Sequence, residues 1–273
     1  MSEFHITYDE RWENLTLANN FIFYIVMRHH PDACKHLIEL LLGIKIDKIE
    51  MRGEETVSVD LTSHSIRLDV YVKDTDRIYD IEMQTINTYD LPERARYYQG
   101  VIDIDNLKPG EKYTKLKNSH IIFICLDDIF KNGLPFYTFE NLCLEDNSIR
   151  LNDRAFKHFF IAENCVKITG NKEMQEFFEF LLSNKSSNGF TSDLGNYVED
   201  AKHNTRWRQQ YMTWERMQTY ARDEGSLEKA IEIAENLLKM NLGTPEQIAQ
   251  AVNLPLEQIL SIKENLLAEP AEK

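Results

Sequence analysis

The sequence predicts an α/β core followed by an all-helical C-terminal region. Three observations carry this. Between residues 56 and 84 apolar residues alternate with polar ones at a period of two, the signature of half-buried strands. Residues 120–126 (HIIFICL) form a continuous apolar run of strand length. From residue 197 onward the apolar positions fall only at helical spacing.

Taken in chain order, residues 17–42 read as two short helices. Phe21, Ile25 and Met27 precede Pro31, which breaks the helix; Leu37, Ile38, Leu40, Leu41 and Leu42 follow it, up to a stop at Gly43. At residue 56 the period changes to two. Val57, Val59 and Leu61 alternate with Ser58, Asp60 and Thr62, then Ile66, Leu68, Val70 and Val72 with Arg67, Asp69, Tyr71 and Lys73, which predicts strands with one buried face. Residues 74–77 (DTDR) are turn formers, and beyond them Tyr79, Ile81 and Met83 alternate with Asp80, Glu82 and Gln84, so a hairpin with a four-residue loop is expected. Asp90 before Leu91 and Pro92 reads as a cap opening a helix that runs to about Asn106. Residues 120–126 fit a central strand covered on both faces, although periodicity does not separate that from a short buried helix.

Residues 171–182 resume helical spacing, and 184–196, rich in Ser, Asn and Gly, read as a linker. Helices are then expected at 197–222, 226–241, 246–252 and 256–267. The predicted organisation is a core over 1–183, a linker over 184–196 and a helical tail over 197–273 with a helix-turn-helix-like end.

Composition narrows the function. Hydrophobic residues make up 42% and aromatics 11%, enough to build a core rather than a disordered chain. Thirty-one basic against 45 acidic residues give a net charge of -14, the wrong sign for coating DNA or an anionic membrane by bulk charge. Any nucleic-acid contact must be local or metal-mediated. No apolar run reaches the roughly 18 residues of a membrane span, and the polar, acidic start is unlike a signal peptide, so a cytoplasmic protein with no membrane partner is expected. Cys34, Cys125, Cys143 and Cys165 stand singly in apolar surroundings and read as buried thiols. The eight histidines show no metal-ligand spacing, and there is no Gly-rich phosphate loop or Gly-x-Ser-x-Gly motif.

With residues 74–77 as the loop, Lys73 pairs with Ile78, Tyr71 with Asp80 and Asp69 with Glu82. Two carboxylates with Cβ atoms about 5 Å apart repel unless a positive charge lies between them. Mg²⁺, with Mn²⁺ as a substitute, takes such oxygens and completes its shell with water and phosphate, which suits phosphodiester chemistry. The alternative at this stage is a solvent-facing acid pair neutralised by Arg67 or Lys73.

Five segments arrive in register: Arg67 to Val72 (RLDVYV), Tyr79 to Gln84 (YDIEMQ), Arg94 to Tyr98 (RARYY), Gly110 to Tyr113 (GEKY) and the apolar strand 121–126. Together they resemble the PD-(D/E)XK nuclease family transposases, relatives of the recombination-promoting nucleases, over residues 15–165 and more loosely into the tail. The resemblance implies a restriction-endonuclease-like mixed sheet flanked by helices, and metal-dependent DNA cleavage in recombination or transposition-like breakage. It places Asp69 and Glu82 on the two strand carboxylates that hold Mg²⁺, and Gln84 where the superfamily name writes Lys. A neutral amide can orient a water but cannot act as a base or supply charge. Arg94 and Tyr98, four apart on one helical face, match the family's Arg-x-x-x-Tyr and are expected to clamp phosphate or brace the acids, the alternative being ordinary helix packing. Glu39 is the candidate for a helix acid on spacing alone.

Two positions depart from the pattern: Asn20 and Ile25 stand where the family commonly has Asp and Lys. They motivate a second reading, a catalytically inactive nuclease-fold module that binds DNA or a protein. Double-strand cutting would call for two sites, hence a homodimer. In the tail, Lys202, Arg206, Arg208, Arg216 and Arg222 interleave with Trp207, Tyr211 and Trp214, a basic-aromatic stretch that suits either a DNA backbone or packing. Residues 244–267 have helix-turn-helix cadence, with Thr244 as cap and Pro245 next. Glu257 and Glu264 against a lone Lys263 make the second helix a poor major-groove reader, so packing or assembly is the better expectation.

Overall fold

The first helices form where their caps dictate. A short helix α1 (Tyr8–Glu13) leads to α2 (Asn20–His29), where the Asn19 side chain accepts from the amides of Phe21 and Ile22. Pro31 opens α3 (Pro31–Leu42), and Gly43, at φ 64°, closes it in the left-handed conformation that glycine adopts without strain. The computed structural model describes residues 8–51, 70–86, 88–240 and 242–268.

Strands β1 (Glu50–Met51), β2 (Val70–Lys73) and β3 (Arg77–Gln84) follow, then helix α4 (Leu91–Asn106) and strands β4 (Asn118–Cys125), β5 (Phe136–Phe139) and β6 (Ala155–Ile161). Among the described residues they make one six-stranded sheet in the order β1-β2-β3-β4-β6-β5. β3, β4 and β6 run parallel and the other neighbours antiparallel, giving the mixed α/β sheet that the sequence predicts. Lys73 pairs with Ile78 and Tyr71 with Asp80, the expected hairpin register. Asp69, Arg67 and the strand expected at residues 56–62 lie outside the described residues.

One difference concerns how this hairpin sits. The polar face of β3 is not a solvent face: Ile78 to Met83 are all buried. β3 is an inner strand, and the face bearing Ile78, Ile121, Phe123, Cys125, Phe159 and Ile161 is covered by Leu91, Ala95, Tyr98 and Ile102 of α4. On the other face α2 packs against β2 and β3. Asp90 precedes α4 as expected, but its side chain makes no capping hydrogen bond, and Pro92 in the first turn carries the helix start.

Beyond the sheet come α5 (Ala162–Cys165), α6 (Lys172–Ser183), α7 (Gly189–His203), α8 (Thr205–Lys239), α9 (Pro245–Val252) and α10 (Leu256–Ala268). Much of the stretch expected as a linker is helix α7. Its Ser, Asn and Gly are capping chemistry: Asn188 accepts from the Thr191 amide while the Thr191 hydroxyl accepts from the Asn188 amide. Likewise α8 runs unbroken through Gly225, where two helices were expected. The chain divides into compact units at residues 1–207 and 208–273. Within the second, the end of α8 packs with α9 and α10 around Ala234, Ile248, Ala249 and Ile259. Thr244 and Gln247 form a reciprocal cap on α9, and Tyr211 is buried with its ring 5.9 Å from Trp214. Of the cysteines, Cys34, Cys125 and Cys165 are buried and Cys143 is half-buried.

The sheet also holds a histidine pair. His120 Nδ1 lies 3.0 Å from His158 Nε2, and His158 Nδ1 lies 3.1 Å from Thr138 Oγ1. Burial lowers His158 to about 3, helped by His120, and lowers His120 to about 4, helped by Arg77. Unfolded histidines take up protons near 6.5, so these two contribute stability that is present above that pH and lost as pH falls toward 4 and below. The urea midpoint of the first unit should therefore drop more steeply between pH 6.5 and 4 in the wild type than in His158→Gln; equal slopes would contradict this.

Candidate active site

The site forms because strand alternation and helical spacing aim polar groups at one another. Ile78, Asp80, Glu82 and Gln84 share the face of β3 that α4 covers. Glu82 pairs in register with Phe123 and Gln84 with Cys125, both near the carboxyl ends of the parallel strands. Open α/β sheets place ligands outside those ends, where loops rather than backbone hydrogen bonds cover the sheet. Across from them, Arg94 and Tyr98 stand one turn apart on α4.

Glu82 is 2% exposed, and a carboxylate so deeply buried requires a cation. Arg94 supplies one: its Nη2 is 2.7 Å from Glu82 Oε2. The same guanidinium donates through Nη1 to Gln84 Oε1 at 3.0 Å and through Nη2 to the Tyr98 hydroxyl at 2.9 Å. Its planar fork thus ties three side chains from two elements into one unit, which a lysine could not do. Arg94 also lies over the rings of Tyr98 and Phe123, 5.6 and 5.7 Å from their centroids. Burial opposes its charge, but Glu82 and Tyr98 outweigh that and raise its pKa further. The Tyr98 phenol is itself pushed far up, first by burial and then by the Glu82 carboxylate to which it bonds, so it stays protonated.

Gln84 is engaged at both ends of its amide. While Oε1 accepts from Arg94, Nε2 donates to the carbonyl of Ile86 and contacts Thr88 Oγ1 at 3.5 Å. Gln84 can orient a water only by giving up one of these bonds. Glu39, the candidate helix acid, is occupied at the end of α3: its carboxylate accepts from the Ile46 amide at 2.8 Å and from Lys45 at 3.3 Å. The Ile46 bond leads in holding its pKa below the ordinary carboxylate range. Glu82, Gln84, Arg94 and Tyr98 are therefore brought together, whereas Glu39 serves the turn after its own helix. In the Gly110 to Tyr113 motif Glu111 accepts from the Lys108 amide at 2.9 Å and from Lys115 at 2.7 Å, a turn rather than a site. Sequence reading assigned no role to Asp80, which is fully buried two residues before Glu82 on the same face. Its signal was an acid at the i−2 position of a strand whose polar side proves to be internal.

The metal implied by the strand acids can be tested against these groups. Among the described residues no three His, Cys, Asp or Glu side chains gather into a metal set. The donors present, the Glu82 carboxylate and the Gln84 amide oxygen, are hard oxygens of the kind Mg²⁺ accepts, and both accept from Arg94, with which an ion would share them.

Fold and site together define an α/β protein in which a buried acid, an amide and a guanidinium converge at the carboxyl ends of parallel strands. Residues 32–234 match the PD-(D/E)XK nuclease family transposases, and the chain belongs to that family. No curated protein and no solved structure matches it.

Removing Arg94 alone would strand a buried carboxylate. Arg94→Ala should cost about 3–5 kcal/mol in urea unfolding, and adding Glu82→Gln to it should recover much of the loss. A double variant no more stable than Arg94→Ala would contradict the pairing.

Proposed function

We propose that this protein is a metal-dependent DNA endonuclease that hydrolyses phosphodiester bonds in recombination or transposition-like breakage. The observation that carries the reading is the convergence of Glu82, Gln84, Arg94 and Tyr98 on one buried point at the carboxyl end of β3. Family membership supports a nuclease or transposase function. Asp69 and Glu82, which the hairpin register expected from the sequence sets opposite one another, are the two acids assigned to hold Mg²⁺.

The chain's own residues then divide the work. Asp69 and Glu82 supply anionic oxygens; Arg94 fixes the rotamer of Glu82 and lies beside it as a cation. Tyr98, held neutral, donates to Glu82 without competing for the role of base. Gln84 aligns Arg94 and the loop that follows β3. When bound, a divalent ion would polarise the phosphate and lower the pKa of an attacking water, which no neutral amide can do. In-line attack would leave 5′-phosphate and 3′-hydroxyl ends, and cutting both strands would take two copies of the chain.

One observation favours the second reading, an inactive scaffold that binds DNA or protein. Ile25 is buried, and Asn20 turns its side-chain oxygen to the Phe21 amide at 2.9 Å, so neither brings charge to the sheet. Incubation of supercoiled plasmid with Mg²⁺ or Mn²⁺ separates the two. The wild type should nick or linearise it, and Asp69→Ala or Glu82→Ala should slow cutting roughly a hundredfold or more, as loss of several kcal/mol of charge stabilisation requires. An inert wild type, or equal cutting by Glu82→Ala, would overturn the endonuclease reading.

A further inference from the structure

The loop that leaves β3 beside Glu82 carries two large apolar side chains out into solvent. Ile86 is 65% exposed and Tyr89 90% exposed, only two and five residues beyond Gln84. Exposed apolar side chains are ordinary when scattered, but these two stand beside tied groups. Gln84 spends its amide nitrogen on the Ile86 carbonyl and the Thr88 hydroxyl, and its amide oxygen on the guanidinium that holds Glu82. Pro92 and the first turn of α4 fix the other end. Ile86 and Thr88 are thus tied through Gln84 and Arg94 to the buried acid, and Tyr89 follows Thr88 directly.

The net charge of -14 adds an independent constraint. A net negative charge weakens broad attraction to phosphate, the usual source of DNA affinity, so contacts that need no positive charge would add to what local basic groups supply. Stacking of an aromatic ring on a base, and insertion of an aliphatic wedge between bases, are the contacts that need no positive charge. Both require a base face that is uncovered. Paired and stacked bases hide their faces, whereas single strands, frayed ends and distorted junctions expose them.

We propose that Ile86 and Tyr89 form a base-contacting prong, and that the substrate is DNA with unstacked bases next to the scissile phosphate. This rests on the reading that the Glu82 site faces DNA. Tyr89 would stack on an exposed base and Ile86 wedge beside it, placing the adjoining phosphate at Glu82. Gln84 would act as the positioning residue that transmits the loop's place to Arg94.

The test is binding of fluorescently labelled single-stranded and fully paired oligonucleotides to the full chain, with Ca²⁺ in place of Mg²⁺. The wild type should favour the single strand. Tyr89→Ala should weaken that binding about tenfold and leave duplex binding unchanged, Tyr89→Phe should restore it, and Ile86→Ala should weaken it less. Both side chains are exposed, so loss of folding is not expected, and a thermal melt checks it. Tyr113→Ala serves as control: Tyr113 is 82% exposed but precedes the amino end of β4, opposite the site end of the sheet, and should have no effect. Equal affinity of the wild type for both forms, or a preference that survives Tyr89→Ala with Ile86→Ala, overturns the prong. A wild type that cuts plasmid without such a preference sinks the prong alone. One with a Tyr89-dependent preference but no cutting sinks the endonuclease reading alone.

Discussion

A carboxylate taken out of water either gives up its charge or is met by an opposite one, and at Glu82 a guanidinium meets it. Glu82 sits on an inner strand under α4, and among the described residues a side chain from that helix reaches it. Arg94 does, and its remaining donors fix Gln84 and Tyr98 in the same act. Apolar packing sets α4 over the sheet, and burial first and the Glu82 carboxylate second keep the Tyr98 phenol protonated.

The His120 and His158 pair is a useful contrast. Both are buried and hydrogen-bonded within the sheet, yet they meet burial by losing charge rather than by pairing with an opposite one. Glu82 keeps a guanidinium beside it instead. His120 is stacked between the rings of Tyr79 and Phe156, whereas Glu82 is ion-paired at the end of the parallel strands.

Much of this was legible in the sequence because local rules and tertiary demands agree. The Lys73 to Ile78 register follows from the turn residues, and the limits of α3 from Pro31 and Gly43. The i, i+4 spacing of Arg94 and Tyr98 already put them on one face. What was missed depends on long-range burial. Alternation distinguished the two faces of β3 but not that both are covered, so Asp80 passed unnoticed and the acid face read as solvated. β6 was obscured because Lys157 and His158 interrupt its apolar run, although the strand pairs with β4 along its whole length. Asn188 and Thr191 looked like linker composition because a capping box and a flexible stretch use the same residues. At Glu39, helical spacing could not reveal that the backbone amide of Ile46 would claim the carboxylate.

The most direct measurement is the anomalous signal of Mn²⁺ in crystals of the protein grown with that ion. The account predicts a peak within coordination distance of the Glu82 carboxylate and of Asp69, with Arg94 still bonded to the same acid. Absence of any peak there, or one that persists unchanged in Glu82→Gln, would mean that the buried acid serves the fold and not the chemistry.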